Sequence, residues 1–188
     1  MPTRRAFLLG ALAAALPLRA DDDDGWKRLR EGSYVVLIRH ASTVPGLGDP
    51  PSFRVDDCAT QRNLSEAGRE ESRRIGERFK AERVKVAKVY TSPWCRCRET
   101  ATLAFGRAED WEPLSSFFDF PHREAEFTER VKKRIAGYAR RPAGGNVVMV
   151  THNVNIAALS KHSVAQGEIV LMRPDGCCDA RPAGRLKA

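Results

Sequence analysis

Two arginines and two histidines in this chain stand where apolar runs stop. Val35-Val36-Leu37-Ile38 is followed by Arg39-His40, Val147-Val148-Met149-Val150 by Thr151-His152, and the run ending at Tyr90 by Thr91-Ser92-Pro93-Trp94-Cys95-Arg96. A guanidinium is a planar fork of donors that matches phosphate oxygens, and two of them can hold a dianion. An imidazole kept neutral by nearby positive charge retains a lone pair that can attack phosphorus. Covalent transfer through a phosphohistidine would then split a hydrolysis into two easier steps. His40 is the candidate nucleophile, with Arg39, Arg96 and His152 around the phosphoryl oxygens. Acyl transfer fits poorly, since no Gly-x-Ser-x-Gly elbow accompanies these residues.

The elements needed to hold them are legible as pattern. Buried strands are expected at Tyr34 to Ile38, Val86 to Tyr90, Val147 to Val150 and Glu168 to Met172. Ser65 can cap a helix running through Ile75 and Phe79, with Glu70 and Arg74 spaced as an exposed ion pair. Phe127, Val131, Ile135 and Tyr138 form a second helical stripe from about Glu124 to Ala139, and Ala143-Gly144-Gly145 reads as a turn. Shorter helices are expected after Trp94 and Asn153. Alternating strands and helices predict a three-layer α/β/α sandwich with a mostly parallel central sheet. Ligands in such sheets sit beyond the carboxyl ends of the strands, where the arginines and histidines converge.

Four ordered blocks resemble the histidine phosphatase superfamily, of phosphoglycerate mutase-like fold. Arg39-His40-Ala41-Ser42-Thr43 is similar to its Arg-His-Gly-x-Thr segment, and Ser92 through Ala101 to its Ser-Pro-x-x-Arg-x-x-x-Thr-Ala block. Val148 to Asn153 resembles its second histidine strand, and Arg62-Asn63-Leu64-Ser65-Glu66-Ala67-Gly68 the Arg-x-Leu-Ser-x-x-Gly of short bacterial members. The resemblance implies a metal-independent phosphatase without cofactor, with His40 phosphorylated, Arg39, Arg96 and His152 in the phosphate pocket, and Thr43 and Arg62 at its rim. Arg98 is the competitor for the second arginine. The chain departs from the family at Ala41, where glycine is usual, and at Gly46, where mutase-like members often carry asparagine. Serine also stands near the family's glutamate proton donor, in Glu112-Pro113-Leu114-Ser115-Ser116. Asp57 and Glu168 are the candidate acids in its place. The second reading, from the missing glutamate, is a non-catalytic binder of phosphorylated ligands of the cell envelope.

The 188 residues suit one core, with 42% apolar and 30% charged side chains. Residues 1–20 read as an export signal: Arg4 and Arg5, an apolar run from Ala6 to Leu18 too short to span a bilayer, then Ala20. Thr3-Arg4-Arg5-Ala6-Phe7-Leu8 also looks like a twin-arginine signal, so a periplasmic or otherwise exported location is expected by the twin-arginine or Sec route. Residues 21–33 read as an acidic leader or linker, and 34–188 as the catalytic domain. Removing residues 1–20, which carry three arginines and no acid, lowers the formal charge from +8 to +5. That balance suits a small phosphorylated molecule or phosphoprotein, or an envelope surface. No dense basic tract interleaved with aromatics favours nucleic acid. Among Cys58, Cys95, Cys97, Cys177 and Cys178, a bridge from Cys58 to Cys95 or Cys97 fits an oxidising compartment, and the paired Cys-x-x-Cys knuckles of a zinc site are missing.

Overall fold

Apolar side chains at both parities of a strand demand cover on both faces of the sheet, and the computed structural model supplies it. The structure describes residues 20–140, 144–175 and 180–187. The expected export signal before Ala20, Ala143 of the expected turn, and Cys177 and Cys178 lie outside them. Six strands, β1 (Val35–Arg39), β2 (Val86–Thr91), β3 (Glu109–Asp110), β4 (Asn146–Thr151), β5 (Ile169–Pro174) and β6 (Ala180–Leu186), form one sheet in the order β3-β2-β4-β1-β5-β6. β3, β2, β4 and β1 are mutually parallel, whereas β5 runs antiparallel to β1 and β6 antiparallel to β5.

Alternation along β1 sorts the two cores. Val36 and Ile38 pack with Ile75 and Phe79 of α2 (Glu66–Ala81), Ala101 of α3 (Cys95–Phe105), and Trp26 and Leu29 of α1 (Ala20–Glu31). Val35 and Leu37 face Val131 and Ile135 of α4 (Glu124–Arg140) and Ile156 of α5 (Asn153–Ser160). The sheet is thus the middle of three layers, the expected α/β/α sandwich.

Three expectations change. Residues 21–33 are largely helix, not linker: Trp26 and Leu29, three positions apart on one side of α1, are 1% and 0% exposed in the core. Glu70 pairs with Arg73 one turn on, not with Arg74. Two strands escaped notice, the short, exposed, acidic β3 and the edge strand β6, which carries a proline and a glycine.

Two local devices pin the chain near the end of β1. Ser65 caps α2 by accepting from the Gly68 N–H at 3.1 Å. Gly68 lies so close to the loop after β1 that a Cβ there would fall 1.8 Å from the Ser42 carbonyl oxygen, so only glycine fits. From the next turn, the Glu71 carboxylate accepts from both the Ser42 N–H and its hydroxyl, each at 2.8 Å.

Candidate active site

Parallel register brings the strand ends level. Arg39 pairs with Thr151 across β1 and β4, and Thr91 with Val150 across β2 and β4. The next residues continue the ladder, with the His40 N–H on the Thr151 carbonyl and the Ser92 N–H on that of Val150, both at 2.9 Å. His40, Ser92 and His152 therefore leave the sheet side by side. The pocket beyond them has a volume of about 180 Å³, and Arg39, His40, Arg62, Arg96 and His152 all line it. A larger hollow of about 500 Å³ between α2 and α3 contains no histidine and lies away from the strand ends.

His40 is 3% exposed, and its Nδ1 lies 2.9 Å from the Ala41 carbonyl oxygen. A carbonyl only accepts, so a neutral ring carries its proton on Nδ1 and keeps the lone pair on Nε2. Burial, then the charge of Arg96, with Arg39 and Arg62 behind it, press the His40 pKa down to about 3, against the weaker pull of the Ala41 carbonyl. The ring is neutral at any physiological pH. The Ala41 peptide is itself held by Thr100 Oγ1, which accepts from Ala41 N–H at 3.1 Å and donates to the Arg96 carbonyl at 2.7 Å. Ala41, at the position where the resembled segment carries glycine, is fully buried.

His152 is the residue before α5. Its Nε2 lies 2.9 Å from Ser92 Oγ and 3.5 Å from Cys97 Sγ, and the Trp94 ring meets it edge-on at 5.6 Å. Burial first, then Arg96 and His40, hold it well below the usual histidine range. The two imidazoles stand 5.4 Å apart, centroid to centroid.

The guanidiniums are individually anchored. Arg39 donates through Nη1 to the Val164 carbonyl at 2.6 Å. Arg62 donates to Thr43 Oγ1 at 2.5 Å and to the carbonyls of Gly46 and Gly48, so the loop after β1 wraps its head; Gln166 also donates to Thr43 Oγ1. Arg96 spends its two terminal nitrogens on the Asp49 carboxylate, at 2.8 and 3.0 Å. Its Nε is buried without a partner, so the Nε–Nη2 edge is the fork Asp49 leaves unclaimed. Arg98, the competitor, is on the surface in an ion pair with Asp110.

Neither expected acid reaches the pocket. Asp57 is tied to Arg54 and to the Ala59 N–H in an exposed turn, and Glu168 accepts from the Ala165 N–H and from Arg185. The carboxylates that do line it are Asp49 and Asp119. Asp49 sits between Gly48 and Pro50-Pro51, a string that signals only a turn in sequence; Asp119 lies just beyond the serines searched for the acid. Burial would raise the Asp49 pKa, but hydrogen bonds from Arg96, the Arg62 N–H and Trp94 Nε1 outweigh it and hold the carboxyl below its ordinary range.

Cys58 and Cys95 form a disulfide, one of the two pairings left open, and Cys97 is free and buried. Among the described residues no cluster of three metal-ligating side chains occurs, and no helix is long and apolar enough to cross a membrane.

The fold is that of phosphoglycerate mutase-like α/β proteins. Residues 35–119 match the model of the histidine phosphatase superfamily (branch 1), a stretch that holds three of the four sequence blocks and not Val148 to Asn153. No curated protein matches the chain. Solved structures of similar fold include a mycobacterial glucosyl-3-phosphoglycerate phosphatase with VO3 (TM-score 0.60, 14% identity, covering 83% of this chain and 100% of that one). The protein histidine phosphatase SixA complexed with tungstate superposes with a TM-score of 0.54 at 17% identity, covering 82% of this chain and 96% of its own. A phosphoserine phosphatase mutant from Entamoeba histolytica gives 0.55 at 13%, covering 81% and 95%.

Proposed function

We propose that this protein is a phosphatase that hydrolyses a phosphomonoester or phosphoramidate through phospho-His40, without a metal. One observation carries the reading: a neutral His40 whose Nδ1 proton is committed to the Ala41 carbonyl, leaving Nε2 free in a pocket lined by three guanidiniums. Nε2 attacks phosphorus, the N–P bond forms, and the bond to the leaving oxygen or nitrogen breaks. Asp119 is the acid assigned to protonate that leaving group. Water then attacks the phosphohistidine, and release of phosphate restores the ring. With Asp119 carrying the proton it donates, Arg39, Arg62 and Arg96 against the buried carboxylate of Asp49 leave a net charge of +2, matched to a phosphoester dianion. The family match and the phosphatases of similar fold support this chemistry. Export to the periplasm belongs to the same proposal, supported by the sequence of residues 1–20.

Rapid acid quench with a ³²P-labelled ester tests it. An acid-labile label on wild type that is lost in His40→Ala, with turnover unchanged by chelator, is expected. Tight phosphate binding without hydrolysis of any ester or of phosphohistidine would instead make the chain a phosphate-ligand-binding protein of the envelope.

A further inference from the structure

Among the described residues the exposed large apolar side chains are Val44, Leu47, Phe118 and Phe120, at 44, 88, 51 and 41% exposure. An exposed leucine alone calls for no explanation. The placement of these four does. Val44 and Leu47 sit on the loop after β1, Phe118 and Phe120 on the segment before α4, and Leu47 and Phe118 both line the pocket of His40. The two loops meet, since a Cβ on Gly48 would lie 3.7 Å from Phe118 Cε1. Val154, at the start of α5, lines the same pocket.

The apolar surface continues inward. A second cavity, of about 280 Å³, shares Ser116 with the first, and Val55, Pro93, Trp94, Phe120 and Phe127 line it beside Ser115 and the Glu112–Arg123 ion pair. The Phe53 ring stands 6.3 Å from Phe120 and 5.9 Å from Trp94 beside it. Arg39, Arg62 and Arg96 thus line the phosphate end of the pocket, while Leu47, Phe118 and Val154 put hydrocarbon on one side of it. Ser116, Asp119 and Asn153 line the same pocket, so its apolar share is the side formed by Leu47, Phe118 and Val154.

Resting on the phosphatase reading above, we infer that the substrate is an amphiphilic phosphate monoester whose leaving group is an apolar alkyl or isoprenoid chain. The chain lies between Leu47 and Phe118, and longer ones reach toward the cavity beside Ser116.

Two chain-length series from ethyl to octyl test this. Alkylphosphonates, which cannot be hydrolysed, report affinity by calorimetry; alkyl phosphates, alike in leaving-group basicity, report kcat/KM. Affinity and kcat/KM are both expected to rise about two- to fourfold per methylene, the upper figure being that of a fully buried CH₂. In Leu47→Ser and Phe118→Ser the slope flattens. A flat phosphonate series, or a slope unaltered in the double variant, overturns the inference even if esters are hydrolysed. A flat series with a phosphohistidine peptide preferred gives the rim to a protein substrate and overturns it too. Phosphonate affinity that climbs without turnover of any ester or of phosphohistidine leaves the apolar subsite standing and removes the phosphatase reading instead.

Discussion

The Asp49 carboxylate takes both terminal nitrogens of Arg96 in an ion pair whose side chains are only 2% and 4% exposed. Removing one partner of such a pair strands the other charge away from water. Asp49→Asn is expected to cost about 3 kcal/mol of stability without ligand. Inorganic phosphate, which would supply the missing countercharge, should raise the melting temperature of the variant more than that of wild type. Equal ligand shifts in the two proteins would show that Arg96 does not need this carboxylate.

Acid should weaken the fold through His40. Its folded pKa, about 3, lies below the unfolded value near 6.5, so the unfolded chain binds the extra proton between those limits. Stability is then complete above about pH 6.5 and falls as pH drops toward 3, by up to about 1.4 kcal/mol per unit for this ring. His152, lowered for the same reasons, adds in the same direction. Urea melts at pH 7 and pH 5 should show a smaller loss for His40→Asn than for wild type. A loss as large in the variant would assign the acid sensitivity elsewhere.

Asp119→Asn separates proton donation from nucleophilic attack. An alkyl phosphate, with a strongly basic leaving oxygen, should lose about 10²-fold in kcat, while 4-nitrophenyl phosphate should lose little. Equal losses on both esters would remove Asp119 from the role of acid.

The Cys58–Cys95 bridge closes a sequence separation of 37 residues and joins the segment before Arg62 to the start of α3, beside Arg96. Reduction is expected to cost about 3–4 kcal/mol, read from urea unfolding with and without dithiothreitol. Burial pushes the Cys97 thiol up to about 12, so native protein should resist alkylation there until it unfolds. Rapid native alkylation of Cys97, followed by peptide mapping, would contradict its burial.

How far the sequence revealed this molecule depended on where its signals were local. β1, β4 and β5 carry continuous apolar runs and β2 one broken only by Lys88, and the polar residues ending three of them pointed to one edge. Arg39, His40, Arg96 and His152 meet there because parallel register aligns those ends. β6 offers no such run, since Pro182 and Gly184 interrupt it and its partner is the antiparallel β5. Four aspartates and Gly25 masked α1, whose helical sense shows only in Trp26 and Leu29. Asp49 was illegible for another reason. Its meaning comes from Arg96, 47 residues on, and no local pattern records that pairing.

Helix α1 lies over the last strand so closely that a Cβ on Gly25 would fall 2.4 Å from Leu186 Cδ2. The front of the described chain is thus seated partly on β6, which is itself paired with β5. Trp26 and Leu29 share one apolar cluster with Leu186, so loosening β6 would loosen α1 and leave it leaning on Phe79.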